Sequence, residues 1–221
     1  MLQFFSKYKF LAVVLFVLSA IIITIIYNIL KPTEILPVFQ PSQVSSEMVD
    51  STLQHVKKYH VIADFALQNQ NGKTITQKDY NNKIYVADFF FTTCQTICPV
   101  MTDHMLEIQE KLKNDTDILL LSHTVTPEID SVAQLKKYAI EKGVNDAKWN
   151  LVTGDKKEIY TLARKSYLAA KDNPYEENDL IHTENFVLVD TQKRIRGFYD
   201  GTDPEAIEQL LHDIEVLKKE K

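Results

Sequence analysis

From Phe10 to Leu30 the chain reads FLAVVLFVLSAIIITIIYNIL, 21 residues without a charge. As a helix rising about 1.5 Å per residue, such a run spans roughly 30 Å, the thickness of a bilayer's hydrocarbon core. A cleaved secretory signal is the alternative. The run is longer than an ordinary signal h-region, however, and no A-x-A cleavage site follows it. It contains no cysteine to carry a lipid, so the helix itself is expected to be the anchor. Lys7 and Lys9 precede it, and Lys31, Pro32 and Glu34 follow. The positive excess on the short N-terminal side predicts a single-pass protein of the cell (cytoplasmic) membrane. Everything after the anchor is then extracytoplasmic, on the periplasmic side.

The expected organisation is a short cytoplasmic N-terminus (1–9), the anchor (10–30), a linker (31–58) and one globular domain (59–221). Pro32, Pro37 and Pro41, then Ser42, Ser45 and Ser46, mark the linker. A chain of 221 residues with 45% hydrophobic and 25% charged side chains suits one such domain. The net charge of -5 argues against nucleic acid as a partner, which would require a clustered basic footprint. Five glycines in no GxGxxG or Walker pattern leave no phosphate-binding loop, and two cysteines exclude a disulfide-stapled mini-domain and a four-cysteine zinc site.

The globular part alternates strand and helix. Val61–Leu67 and Lys73–Ile75 flank Asn71-Gly72, a hairpin signal. IYVADFFF from Ile84 to Phe91 is apolar almost throughout, as in a strand buried on both faces of a parallel sheet. Met101, Met105, Ile108 and Leu112 recur at helical spacing, with Pro99 suited to the first turn. Ile118–Leu121 reads as a second buried strand, Val132, Leu135 and Ala139 as a helix, and Trp149–Thr153 as a short strand. Asp155 and Glu158 resemble a capping box opening a helix through Ile159, Leu162 and Ala163. Phe186–Val189 and Ile195–Tyr199 form a last hairpin, and Pro204 opens an amphipathic helix through Ile207, Leu210, Leu211 and Ile214. The order, a β-hairpin and then β-α-β-α-β-α-β-β-α, predicts an α/β sheet with helices on both faces.

Both cysteines lie in Thr92-Thr93-Cys94-Gln95-Thr96-Ile97-Cys98-Pro99, between the buried strand and the helix. Open α/β sheets collect reactive groups at the carboxyl ends of parallel strands, and a helix N-terminus stabilises a thiolate. Four residues apart across the turn, the two sulfurs can meet as a disulfide or hold one soft metal ion. A purely structural disulfide would close a tiny loop and contribute little. Two thiolates alone favour Cu(I), and an added imidazole accommodates Cu(II). His182 immediately precedes the strand of the last hairpin and points at the cysteines if that strand runs antiparallel to the central ones. His123 follows Ile118–Leu121 and is expected at the same edge. His104 reads as solvated helix surface, and His55, His60 and His212 as surface.

Phe91-Thr92-Thr93-Cys94-Gln95-Thr96-Ile97-Cys98-Pro99 after a buried strand resembles the CxxxCP signature of the SCO/SenC family. Asp179-Leu180-Ile181-His182-Thr183, leading into Phe186-Val187-Leu188-Val189-Asp190, is similar to the family's histidine segment. Thr126-Pro127-Glu128 with Leu135-Lys136-Lys137-Tyr138-Ala139 is similar to its middle loop and helix. The resemblance runs from about residue 60 to the C-terminus. It implies a thioredoxin-like fold behind one transmembrane helix, and copper, as Cu(I) and/or Cu(II), bound by Cys94, Cys98 and His182. It further implies a role in assembling cytochrome c oxidase. Gln95 and Thr96 stand where the family often has proline and an acidic residue, and Thr126 precedes Pro127 where an aspartate is usual.

Three functions follow as expectations. A copper metallochaperone would pass its metal to a copper-accepting oxidase subunit, working with a periplasmic copper donor or thiol reductant. A thiol–disulfide oxidoreductase acting on the oxidase copper-site cysteines would use Cys94 and Cys98 alone as catalytic residues. A copper or redox sensor would turn nothing over. His182 favours metal over pure disulfide exchange, so an enzyme is not the leading expectation.

Overall fold

The computed structural model describes residues 2–30, 34–46, 48–170 and 183–220. It divides into two units, Met1–Ile35 and Leu36–Lys221. The first is a single helix, α1 (Leu2–Leu30), within which Tyr8–Tyr27 is long and apolar enough to cross a membrane, with mean hydropathy 2.9. It starts at Leu2 rather than Phe10 because residues 2–9 contain no proline or glycine to break it.

The second unit is built on a seven-stranded mixed sheet. Its strands are β1 (Ala66–Asn69), β2 (Thr74–Thr76), β3 (Ile84–Phe90), β4 (Ile118–Thr124), β5 (Trp149–Thr153), β6 (Asn185–Val189) and β7 (Ile195–Asp200), in spatial order β2-β1-β5-β4-β3-β6-β7. β3, β4 and β5 are mutually parallel, and β6 lies antiparallel to β3. The helices are α2 (Cys98–Lys111), α3 (Val132–Lys142), α4 (Lys156–Thr161) and α5 (Pro204–Lys219). The expected order of elements holds throughout.

Every residue of β3 is buried, as its unbroken apolar run requires. Ile84, Val86 and Phe90 face one core, which packs on Met101, Met105 and Ile108 of α2, Leu135 of α3, and Ile207, Leu210 and Ile214 of α5. Tyr85, Ala87 and Phe89 face the other, which packs on Ile159, Leu162 and Ala163. Helices therefore cover both faces. Side-chain caps set three of their starts: Ser131 accepts from the Gln134 amide, Asp155 from that of Glu158, and Asp203 from that of Glu205. The reciprocal half of a capping box at Asp155 does not form, because the Glu158 carboxylate accepts from the Ala66 amide instead.

Three local expectations shift. The first hairpin strand is Ala66–Asn69 and not Val61–Leu67, since the Ile62 amide donates to the Lys193 carbonyl at the other end of the domain. β4 continues past Leu121 through Ser122, His123 and Thr124, whose polar side chains read as loop. Parallel pairing with Asp88, Phe89 and Phe90 carries it on. The α4 helix widens into a π-turn over Leu162–Ser166, where the Tyr167 amide donates to the Leu162 carbonyl five residues back. Within the 31–58 stretch, Leu36 and Val49 are buried, and the Leu36 and Pro37 carbonyls accept from Arg196.

Candidate functional site

The two cysteines sit where β3 hands over to α2. The sequence makes this junction abrupt. β3 stops at Phe90, and Pro99 in the first turn presets the backbone for a helix while lacking an amide that would go unused there. In the loop between, the Cys94 amide donates to the Phe91 carbonyl at 3.3 Å. The Cys98 amide, at the head of α2, donates to the Cys94 sulfur at 3.4 Å, and the Thr96 hydroxyl lies 3.5 Å from it. Both thiols are free. Cys94 is half-buried, whereas Cys98 is 4% exposed and belongs to the core under α2.

This geometry splits the pair electrostatically. Partial burial alone would raise the Cys94 thiol. The Cys98 thiol, the Thr96 hydroxyl and the Thr96 and Cys98 amides all donate toward its sulfur and overcome that, bringing it down to about 7. Cys98 is pushed up to about 12, first by burial, then by donating to Cys94 and by the charges of Cys94 and Asp88. Cys94 is therefore the more readily ionised of the two thiols. Metal-free protein treated with iodoacetamide should be alkylated at Cys94, with a rate that climbs through pH 7 and levels off above pH 8. Cys98 should remain unmodified across the same range. Peptide mass mapping reads both, and equal labelling of the two cysteines would contradict the split.

Asp88 lies on the Cys98 side of β3 by strand alternation and is 3% exposed. Its Oδ1 has no hydrogen-bond partner among the described residues. Burial pushes its carboxyl up to about 7 against the hydrogen bond from Ser122.

The expectation for His123 is overturned. It lies inside β4, opposite Phe89, and turns to the other face of the sheet. There it stacks on Phe89 with centroids 4.9 Å apart and meets Phe65 and Tyr167 edge-on. It is fully buried, and burial depresses it to about 4, so it is neutral and walled off from the cysteines by the sheet. His104 is half-buried, its Nδ1 2.7 Å from the Gly201 carbonyl, and His60 Nε2 lies 2.8 Å from the Ser166 carbonyl. Neither is the solvated surface residue its position suggested, while His55 and His212 are exposed. His182 lies outside the described residues. The strand that follows it, β6, runs antiparallel to β3 in the register Ala87↔Val187, so the amino end of β6 lies beside the carboxyl end of β3, where the cysteine loop begins.

The SCO1/SenC family model matches residues 54–219, three-quarters of the chain and all the elements that frame the cysteine loop. The chain belongs to the SCO1/SenC family. Among SCO1/SenC relatives, the SCO1 protein homolog of Bacillus subtilis (strain 168) is 35% identical over 155 residues, covering 69% of this chain and 80% of that protein. The structure of BsSco is similar, with TM-score 0.63 and 34% identity over 73% of this chain and 95% of that one. It is described as a member of the Sco family of cytochrome c oxidase assembly proteins in which a disulfide switch was identified. ScoI of Bradyrhizobium japonicum, solved with copper bound, aligns with TM-score 0.55 and 26% identity over 69% of this chain and 98% of that one. These SCO1/SenC structures share the thioredoxin-like fold expected for this chain.

Two site features escaped the sequence reading. Asp88 was visible as the one charge in an apolar strand, a signal of a buried carboxylate. The contact of Thr92 with Asp130 joins residues 38 apart and left no local trace.

Proposed function

We propose that this chain is a membrane-anchored copper metallochaperone that holds copper through Cys94, Cys98 and His182 and assists maturation of the copper centre of cytochrome c oxidase. The observation that carries the reading is the half-exposed and buried thiol pair at the β3–α2 junction, on the sheet edge where β6 enters, in a SCO1/SenC chain whose relatives include a copper-bound structure. The donor set fits the metal. Two soft thiolates satisfy Cu(I), and one imidazole adds the nitrogen that Cu(II) prefers. A low-coordinate site on a domain edge also lets an acceptor replace the ligands one at a time. Copper is cargo here, and the protein's part is to present Cys94 to the partner while Cys98 stays seated in the core.

Metal analysis of the full chain, purified anaerobically with and without reductant and then offered copper, tests this. One copper per chain is expected, together with a sulfur-to-copper charge-transfer absorption in the Cu(II) form. His182→Ala should largely abolish that absorption and weaken Cu(I) only moderately, whereas His104→Ala should leave it intact. Equal behaviour of the two variants would rule out His182 as the third ligand.

The second reading, thiol–disulfide exchange on the oxidase's copper-site cysteines, is favoured by the asymmetry between Cys94 near 7 and the buried, raised Cys98. That is the arrangement of an attacking and a resolving thiol. Under either reading the domain works outside the cytoplasmic membrane, behind the anchor of Tyr8–Tyr27. A reporter active only in the cytoplasm, fused after Lys221, should therefore be silent.

A further inference from the structure

We propose that Asp130, in the loop after β4, is a positioning residue for the cysteine pair: its buried carboxylate clamps Thr92, two residues before Cys94, and so fixes the loop that carries the half-exposed thiol. The inference rests on the reading of Cys94 and Cys98 as the working pair.

Asp130 is fully buried, and four donors converge on it. Thr92 supplies two of them, its amide at 3.1 Å from Oδ2 and its hydroxyl at 2.5 Å from Oδ1. The hydroxyls of Thr124 and Thr126 reach Oδ2 at 2.5 and 3.1 Å. Gln134 Nε2 then donates to the Thr92 oxygen at 3.1 Å, locking that hydroxyl's proton toward the carboxylate. All four donors are neutral, so a buried carboxylate is being held by dipoles alone, a costly group to keep unless the donors are well placed.

The loop that carries Asp130 does not need Thr92 for its own closure. The Ile129 and Asp130 amides already donate to the Thr126 carbonyl at 2.9 and 2.8 Å, the Val125 amide to Phe90 at 2.9 Å, and Ser131 caps α3. The two bonds to Thr92 are what this carboxylate adds across 38 residues. The cysteine loop, by contrast, has only long polar contacts around Cys94 itself, at 3.3, 3.4 and 3.5 Å. A short tether at its base therefore limits how far Cys94 can stray from Cys98. Holding two ligands or two reacting thiols in place beforehand raises both metal affinity and the ease of disulfide closure.

The test uses the full chain and a glutathione redox buffer. The protein dithiol reacts with one glutathione disulfide to give the Cys94–Cys98 disulfide and two glutathione thiols. Thr92→Val keeps volume and the amide bond but removes the hydroxyl. It should lower that equilibrium constant about tenfold, a shift of about 30 mV. Thr92→Ser should restore it to within about twofold of the parent. Asp130→Asn should act in the same direction and further, and Thr92→Val stands in for it if that variant does not fold. Tyr80→Phe is the stability control, since its hydroxyl is buried between the Leu120 carbonyl and Asn150, on the opposite core face from Cys98. It should lower the urea midpoint and leave the constant within about twofold. Cu(I) competition with a chromophoric chelator should rank the variants in the same order. A constant unchanged or raised in Thr92→Val, or lowered as far in Tyr80→Phe, overturns the positioning role. A parent chain that takes up no copper yet shows the Thr92 effect removes the metal reading and supports this one. A parent that binds copper without the Thr92 effect does the reverse.

Discussion

Cells that carry Cys94→Ser or Cys98→Ser in place of the natural chain are expected to assemble cytochrome c oxidase with much less copper, although the variant protein is folded and anchored. Serine at Cys94 stands at a half-exposed loop position and removes no core volume. At Cys98, a residue only 4% exposed, it places a hydroxyl where the thiol was, at a cost of about 1–2 kcal/mol, well below the stability of an ordinary domain. The chemistry suffers far more. Removing even an outer-shell partner of a metal ligand lowers affinity roughly ten- to hundredfold, and losing one of two thiolates goes beyond that. Either substitution also ends disulfide chemistry. His182→Ala separates the two readings. If copper transfer is the role it matches the cysteine variants, and if thiol reduction is the role it keeps most of the oxidase's copper. Added copper in the medium should partly rescue a delivery defect by mass action and help a reduction defect less. The measurement is copper per oxidase in isolated membranes. Normal copper content in the Cys94→Ser, Cys98→Ser double variant would sink both readings and leave the sensor.

What could be read from the sequence here was what is local along the chain. The 21-residue charge-free run, the apolar β3, the Met101–Met105–Ile108 spacing and Pro99 after Cys98 each state their structure within a few residues. They sufficed to place two cysteines at a strand–helix junction. Alternation across the sheet was harder to assign. His123 was expected at the cysteine edge because β4 was read as ending at Leu121. With the strand running on to Thr124, a period of two sends His123 into the opposite core. The same extension brings Thr124 beneath Asp130. Contacts of this kind depend on how β4 and its loop lie against β3, and no pattern within either segment announces them. Asp88 is the intermediate case. Its place in the strand was plain, but its consequence depends on Cys98 and Ser122 arriving from elsewhere.

That consequence is large enough to measure. Asp88→Asn is expected to stabilise the domain by on the order of 3 kcal/mol at pH 8, and by little at pH 4. In the unfolded chain the carboxyl titrates near 3.8, whereas burial in the fold pushes it up to about 7. Below pH 4 both states hold the proton and the fold is not penalised. Between pH 4 and 7 the folded state binds more protons than the unfolded one, so stability falls as pH rises. Above 7 the full cost is in place: about three units at about 1.36 kcal/mol each, less the cost of burying the new amide. His123 runs the other way. Its folded value near 4 lies below its ordinary 6.5, so its contribution is lost as pH falls through that window. The parent's curve therefore mixes the two slopes, and only the difference between parent and Asp88→Asn isolates the carboxylate. Urea unfolding followed by Trp149, the one tryptophan and a buried one, reports on this domain alone. Because the Asp88 charge also helps hold the Cys98 thiol up, the variant should make Cys98 more reactive toward iodoacetamide at pH 8 to 9. A difference in stability that does not change with pH would mean that Asp88 is not buried as a charge at neutral pH, and Cys98 reactivity should then be unaltered as well.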